Sequence, residues 1–263
     1  AVIIYVVIVL YNCKLSKSHT VNSLLRIYPE KIHKKFDVRV LVYDNGLNET
    51  QDNPPIHEGF EYLSAAENRG LTGAYNYAIK RASEQSADWI LLLDQDTKLP
   101  VDYFDQLHNA VSEHCDNPKI VAVVPKMHYE NVFFSPAKVL YAGIMRPVER
   151  DYLGIYPREI FAIGSCSLIK VNFIKSIGGF SDKYWLDSQD RWLYHKIHSF
   201  KKEVLITGIV VEHELSVMDF DKFVTESRYE NILKYEVLFM REHCSFFENI
   251  IFALRLAFRS VKL

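Results

Sequence analysis

The sequence predicts an α/β fold, a mostly parallel sheet with helices on both faces. Three observations predict it. Apolar, β-branched-rich runs recur at about 2–10, 38–43, 60–64, 89–93 and 120–125. Segments with helical spacing lie between several of them, at about 17–28, 72–86 and 101–114. Polar residues then gather where the runs end, at Tyr11-Asn12, Asp44-Asn45-Gly46 and Asp94-Gln95-Asp96. Strands buried on both faces read as continuous apolar runs, and ligands of such sheets bind outside the carboxyl ends.

Each element has its own reason. AVIIYVVIVL is apolar for about ten residues, too short to span a bilayer. It lacks a basic leader and a small-residue cleavage site, so it reads as a buried strand rather than a signal peptide. Val21, Leu24 and Leu25 share a helical face that Pro29 stops. Thr72 is the expected N-cap of the 72–86 helix. The second half is less regular. Strand-like runs at 139–146 and 159–164 precede a short helix at 171–177. A helix is expected to open at Ser188, a strand to end at His213, and a helix to run from about 221 to 241. The tail places Phe247, Ile250, Ile251, Leu254, Ala257, Phe258 and Val261 on one stripe, with Arg255, Arg259 and Lys262 off it. That is a basic amphipathic helix, suited to packing on the domain or to docking on an anionic membrane surface.

Composition narrows the class. The chain has 263 residues, 49% of them hydrophobic and 24% charged, enough for a substantial core. Its 31 basic and 33 acidic residues nearly cancel, so charge gives no reason to expect a nucleic-acid partner. Cys13, Cys115, Cys166 and Cys244 form no CxxC pair, which fits a reducing compartment and a cytoplasmic location.

The chemistry concentrates in LLLDQDTKLP. Two carboxylates one residue apart at a strand end suit a hard divalent cation, with substrate phosphates completing its shell. Asp94 and Asp96 would divide the work, one near a ribose or bound water, the other on the metal. An ordinary polar turn before Pro100 is the plain alternative. Asp44 suits hydrogen bonding to a base or ribose, and Arg69 with the following helix start suits an anion. Gly70 and Gly73 do not form a GxGxxG fingerprint. Asp187 and Asp190 lie three apart and can face one cleft, and His213 closes a strand.

Taken in order, VIVLYN, VYDNG, NRGLTGAYN, LLLDQDT, AIGSCSLIK, GGFSDKYWLDSQD and VEHELSV resemble the family 2 glycosyltransferases of GT-A fold, over roughly residues 2–217. LLLDQDT and WLDSQD look most like the bacterial rhamnosyltransferase branch. The resemblance implies a GT-A-type nucleotide-binding sheet and inverting transfer of a sugar, rhamnose in that branch. The donor would be a nucleotide-diphosphate sugar and the acceptor a glycan or lipid-linked saccharide, with Mg²⁺ or Mn²⁺ as cofactor, in surface-polysaccharide synthesis. It implies a catalytic domain over 1–220, with a donor half at 1–100 and an acceptor half at 101–220, and a helical extension over 221–263. By position, Tyr11, Asn12, Asp44, Asn45, Asn68, Arg69, Gly73, Asn76, Asp94 and Gln95 would border the donor. Asp96 and His213 would hold the metal, and Gly164, Ser165 and Trp185 would face the acceptor. Asp190 would be the catalytic base. Leu47 stands where the family often has serine, and Gln189-Asp190 where it often has Glu-Asp, which keeps Asp187 as a supporting or alternative base.

Two other readings compete. A nucleotidyltransferase would use a similar sheet, but YNCKLSKSH lacks the expected Gly-rich phosphate loop. A non-catalytic carbohydrate- or nucleotide-binding module would not need a base. The tail helix marks a candidate peripheral contact on the inner face of the cell membrane.

Overall fold

The structure, a computed structural model, describes residues 2–28, 36–46, 59–114, 116–213 and 226–260, without the side chains of 259 and 260. Pro29, Leu47, Cys115, the end of VEHELSV, the first residues of the expected 221–241 helix, Val261 and Lys262 lie outside the described residues.

The chain begins with β1 (Val2–Leu10), α1 (His19–Ile27), β2 (Phe36–Asp44), β3 (Phe60–Ser64), α2 (Gly70–Glu84) and β4 (Trp89–Asp94). Next come β5 (Thr97–Lys98), α3 (Tyr103–Glu113), β6 (Ile120–Tyr129) and β7 (Val132–Ser135). β8 (Ala137–Val139), β9 (Met145–Pro147), β10 (Gly154–Ile155), β11 (Ile160–Phe161) and β12 (Leu168–Lys170) follow. The rest is α4 (Val171–Ser176), α5 (Gln189–Ser199), β13 (Glu203–His213), α6 (Glu226–His243) and α7 (Phe246–Ser260). The main sheet runs β10-β13-β6-β12-β4-β1-β2-β3. Along that path only β10 and β12 run against the other strands. The expected mostly parallel sheet is therefore present.

Side-chain alternation along β1 explains the layers. Tyr5, Val7 and Val9 join a core with Ala74, Ala78 and Ala82 of α2, together with residues of α4 and α5. Ile4, Val6, Ile8 and Leu10 join the opposite core with Val21, Leu24 and Ile27 of α1 and Phe104 and Leu107 of α3. The small alanines let α2 approach the sheet closely. Covering both faces leaves the strand ends as the accessible edges.

Three expectations need correction. The 139–146 run is two short strands separated by a turn at Tyr141–Gly143. Ala142 (φ 55°) and Gly143 (φ 69°) reverse the chain there, and β8 pairs with β9 and β11 in a separate small sheet. Thr72 does not cap its helix. Arg69 is the N-cap, the helix starts at Gly70, and Asn68 Oδ1 accepts the Gly70 N–H at 2.9 Å. Thr72 lies inside the first turn and its hydroxyl donates to the Tyr184 carbonyl. The tail helix does pack on the domain, but not through its apolar stripe. Phe252 is buried, Asn249 Nδ2 donates to Met240 O at 2.9 Å and Arg255 donates to Ala142 O at 3.0 Å. The stripe stays outside, with Phe247 69%, Ile250 42%, Leu254 55% and Phe258 72% exposed. No helix among the described residues is long and apolar enough to cross a membrane.

Candidate active site

The site is built at the carboxyl edge of the sheet. β4 carries three buried leucines and delivers Asp94 at its end. The chain turns through Gln95-Asp96 and returns as β5, which pairs antiparallel with the end of β13. In that register Thr97 stands opposite His213, and Lys98 opposite Glu212, where their side chains form an ion pair at 3.0 Å. This pairing brings together residues 94, 96 and 213. Asp94, Asp96 and His213 each offer a ligand atom, all within 4.8 Å of one another. Two carboxylates and an imidazole at that spacing fit a divalent cation of the Mg²⁺ or Mn²⁺ class.

A row of hydroxyls fixes this cluster from beneath. Asp94 N–H donates to Ser165 Oγ at 3.0 Å, Ser165 Oγ lies 2.8 Å from Thr97 Oγ1, and Thr97 Oγ1 lies 3.0 Å from His213 Nδ1. The hydroxyl of Thr20 donates to the Asp94 carbonyl, and its oxygen accepts the Thr97 N–H at 2.9 Å. His213 is 5% exposed, so its ring orientation is set by packing and by Thr97. Ser165, expected near an acceptor, is buried under the acidic cluster.

Asp190 faces the same space. It sits in the first turn of α5, where its Oδ1 accepts the Arg191 N–H at 2.7 Å. Its carboxyl is pushed up to about 7, mainly by burial and also by the charges of Asp94 and Asp187, while the Arg191 N–H opposes the rise. Burial likewise raises Asp94, opposed by His213 and by the Tyr75 hydroxyl, which donates to Asp94 Oδ1 at 3.3 Å. Tyr75 is fully enclosed and held protonated by burial and by the charges of Asp94 and Asp190. A Cβ on Gly164 would lie 3.8 Å from Asp190 Cβ and 3.9 Å from the Tyr75 hydroxyl. Gly164 therefore keeps this corner narrow but open. Asp187 is occupied differently, because the Arg228 guanidinium from α6 is bonded to its Oδ2.

The remaining sequence candidates sort by position. Asp44 is 1% exposed; its Oδ1 accepts the Gly46 N–H at 2.8 Å and its Oδ2 the Tyr62 hydroxyl at 2.7 Å. Asn45 spans to the next loop, donating to Gly70 O at 2.9 Å and accepting the Arg69 N–H at 3.1 Å. Arg69 is exposed and paired with Glu67 at 3.1 Å. The space a Cβ would take on Gly73 is filled by the Arg69 side chain. Gln95 Oε1 accepts the Tyr11 N–H at 2.9 Å, tying the ends of β1 and β4 together, and Asn12 adopts a left-handed conformation beside them. The Asn76 amide donates to Phe180 O at 2.9 Å and accepts the Phe180 N–H at 2.8 Å, so both its ends hold the 178–180 turn. Trp185 is 40% exposed, and its carbonyl accepts the Thr72 N–H at 3.2 Å.

Sequence reasoning missed Tyr75, Thr20, Thr97, Tyr62 and Cys13. The Cys13 thiol is raised by burial and by the charges of Asp44 and Asp96. Thr97 belongs to the DQDT run and was the legible one, because it follows the second acid directly.

The fold and site define a GT-A-type α/β domain with an acidic, cation-compatible edge. The chain belongs to glycosyl transferase family 2, whose model matches residues 5–178. Similar solved structures share the fold at low identity. The S. aureus TarS 1–349 structure has a TM-score of 0.56 at 16% identity, covering 89% of this chain and 65% of that one. GalNAc-T7 with UDP, GalNAc and Mn²⁺ has 0.59 at 14%, covering 81% and 44%. The mannosyltransferase PcManGT from Pyrobaculum calidifontis, with GDP-Man and Mn²⁺, has 0.55 at 14%, covering 97% and 79%. The chain thus spans less than two thirds of TarS 1–349 and of GalNAc-T7. Among curated proteins, none matches this sequence.

Two predictions follow from this geometry. Thr97→Val removes the hydroxyl that orients His213, and outer-shell losses of this kind cost about 10- to 100-fold in metal affinity. Calorimetric titration with Mn²⁺ should show that drop, and unchanged affinity would contradict it. In metal-free protein the Asp190 carboxyl should titrate at about 7, read by carboxyl-carbon NMR against Asp190→Asn. A midpoint below about 5, close to an ordinary Asp, would contradict the burial argument.

Proposed function

We propose that this chain transfers a sugar, with inversion, from a nucleoside-diphosphate donor to a saccharide hydroxyl, and that Asp190 is the base. The observation that carries the reading is a half-buried carboxyl, raised to about 7, on the same space as Asp94, Asp96 and His213. A sugar hydroxyl is a poor nucleophile. Asp190 takes its proton while the hydroxyl oxygen bonds to the anomeric carbon. The bond from that carbon to the diphosphate breaks, and the nucleoside diphosphate leaves with the electron pair. Attack opposite the leaving group inverts the centre, so a single base suffices and no second flanking carboxylate acts as nucleophile.

Asp94, Asp96 and His213 would hold Mg²⁺ or Mn²⁺, which when bound supplies positive charge for the leaving diphosphate. Support comes from relatives of this fold determined with Mn²⁺ and UDP or GDP-Man, and from TarS determined with UDP-GlcNAc. Tyr11, Asn12, Asp44, Asn45, Asn68, Arg69 and Gln95 cluster around the loops that border the donor, and Trp185 and Gly164 border the acceptor side. The Arg228 contact favours Asp190 as the base, because it already occupies Asp187 Oδ2. Rhamnose as the sugar, and surface-polysaccharide synthesis as the setting, rest on the likeness of LLLDQDT and WLDSQD to the rhamnosyltransferase branch. The same reading assigns catalysis to residues up to about 220 and treats α6 and α7 as an extension.

The reading extends to a peripheral contact with an anionic membrane on the cytoplasmic side, through the exposed row of α7. The support is the outward position of Phe246, Phe247, Leu254 and Phe258.

Asp190→Asn should lower nucleoside diphosphate release from UDP-, GDP- and dTDP-sugars by about 10²- to 10⁴-fold, the usual worth of a general base. Thermal stabilisation by Mn²⁺ plus the matching nucleoside diphosphate should persist. Transfer at the parent rate would remove Asp190 from the mechanism. For the membrane contact, Phe247→Glu with Leu254→Glu should reduce sedimentation with phosphatidylserine vesicles at unchanged melting temperature. Equal sedimentation of parent and variant would end that part of the reading.

A further inference from the structure

The segment carrying Asp190 has weak local reasons to hold its shape. Ser188, the N-cap of α5, has φ 64°, a left-handed conformation that is unfavourable for a non-glycine residue. Its side chain makes no capping bond. Something outside the segment must hold the turn: Thr72 of α2 bonds the Tyr184 and Trp185 carbonyls at its start, and α6 supplies the contacts beyond them.

α6 grips the segment at two points. Near its last turn, Glu242 accepts the Tyr184 hydroxyl at 3.0 Å and pairs with Lys183. Near its first turn, Arg228 bonds to Asp187, which has only 13% of its side chain exposed against 31% for Arg228. Between them Phe239 carries the Arg191 guanidinium 4.2 Å over its ring, directly after Asp190. α6 lies wholly beyond the residues matched by the family model.

We propose that Arg228 is a positioning residue for transfer: by holding Asp187 it fixes the 185–190 turn so that Asp190 faces the site. The inference rests on Asp190 being the base. An exposed ion pair would contribute little. Here the carboxylate is largely enclosed, and removing its partner leaves a charge uncompensated next to the turn. Arg228 touches no reacting atom in this role. Its effect passes through Asp187 and the backbone of residues 185–190.

Hydrogen–deuterium exchange tests the placement without any substrate. Arg228→Ala should speed exchange in a 183–191 peptide while a 235–243 peptide stays protected. Arg228→Lys should recover part of the protection. Equal exchange in 183–191 for parent and Arg228→Ala would overturn the proposal, and so would loss of protection in both peptides, which would make Arg228 a general anchor of α6. Nucleoside diphosphate release from a UDP-, GDP- and dTDP-sugar panel with Mn²⁺ gives the second arm. Arg228→Ala should lower kcat about tenfold with donor KM unchanged, and adding Asp187→Asn should lower it no further. Additive losses, or a donor KM that rises as kcat falls, would place Arg228 elsewhere. Asp190→Asn, run alongside, separates the two ideas: its full activity would refute the base, whatever the exchange of 183–191 shows.

Discussion

The site depends on a two-residue strand. Thr97 and Lys98 pair with Glu212 and His213, so the chain must fold back immediately after Asp94-Gln95-Asp96. Without that pairing the two aspartates would splay apart in water, as like charges prefer. With it they converge beside an imidazole, and their repulsion becomes a standing preference for a cation. The hydroxyls of Thr97, Ser165 and Thr20 hold the geometry from below, using side chains that bring no charge.

A second constraint is electrostatic. Burial makes both Asp94 and Asp190 harder to ionise, and the charge of Asp94 raises Asp190 further. A cation near Asp94 would relieve both. Loading the donor edge and preparing the base are therefore linked through the field. Tyr75 stands between them as a protonated donor to Asp94, which keeps that acid turned toward the cluster. Arg228 removes Asp187 from the same contest.

Much of this was legible in the sequence because the signals were local. The apolar runs of β1, β2, β3, β4 and β6 had no competing pattern, and their polar ends named Asp44, Asp94 and Asp96. The misses share a cause, since each depends on a partner distant in sequence. Thr72 looked like a cap because Thr caps helices, yet Asn68 serves the first turn and Thr72 reaches Tyr184 instead. The place of Ser165 also depends on a distant strand, since pairing of β12 with β4 draws the preceding turn beneath Asp94. The bonds from Asn76 to the Phe180 backbone likewise join residues far apart in sequence. The α7 stripe was correctly read as apolar. Its direction was not readable, because Phe252 on the other face decides the packing.

The central claim is that the β5–β13 pairing makes a cation site of Asp94, Asp96 and His213. Electron paramagnetic resonance of Mn²⁺ tests it directly, since bound ion loses the sharp six-line signal of the free ion. The account predicts that one equivalent binds the parent protein and that Asp96→Asn and His213→Ala each weaken it strongly. Identical Mn²⁺ titrations for the parent and both variants would contradict it.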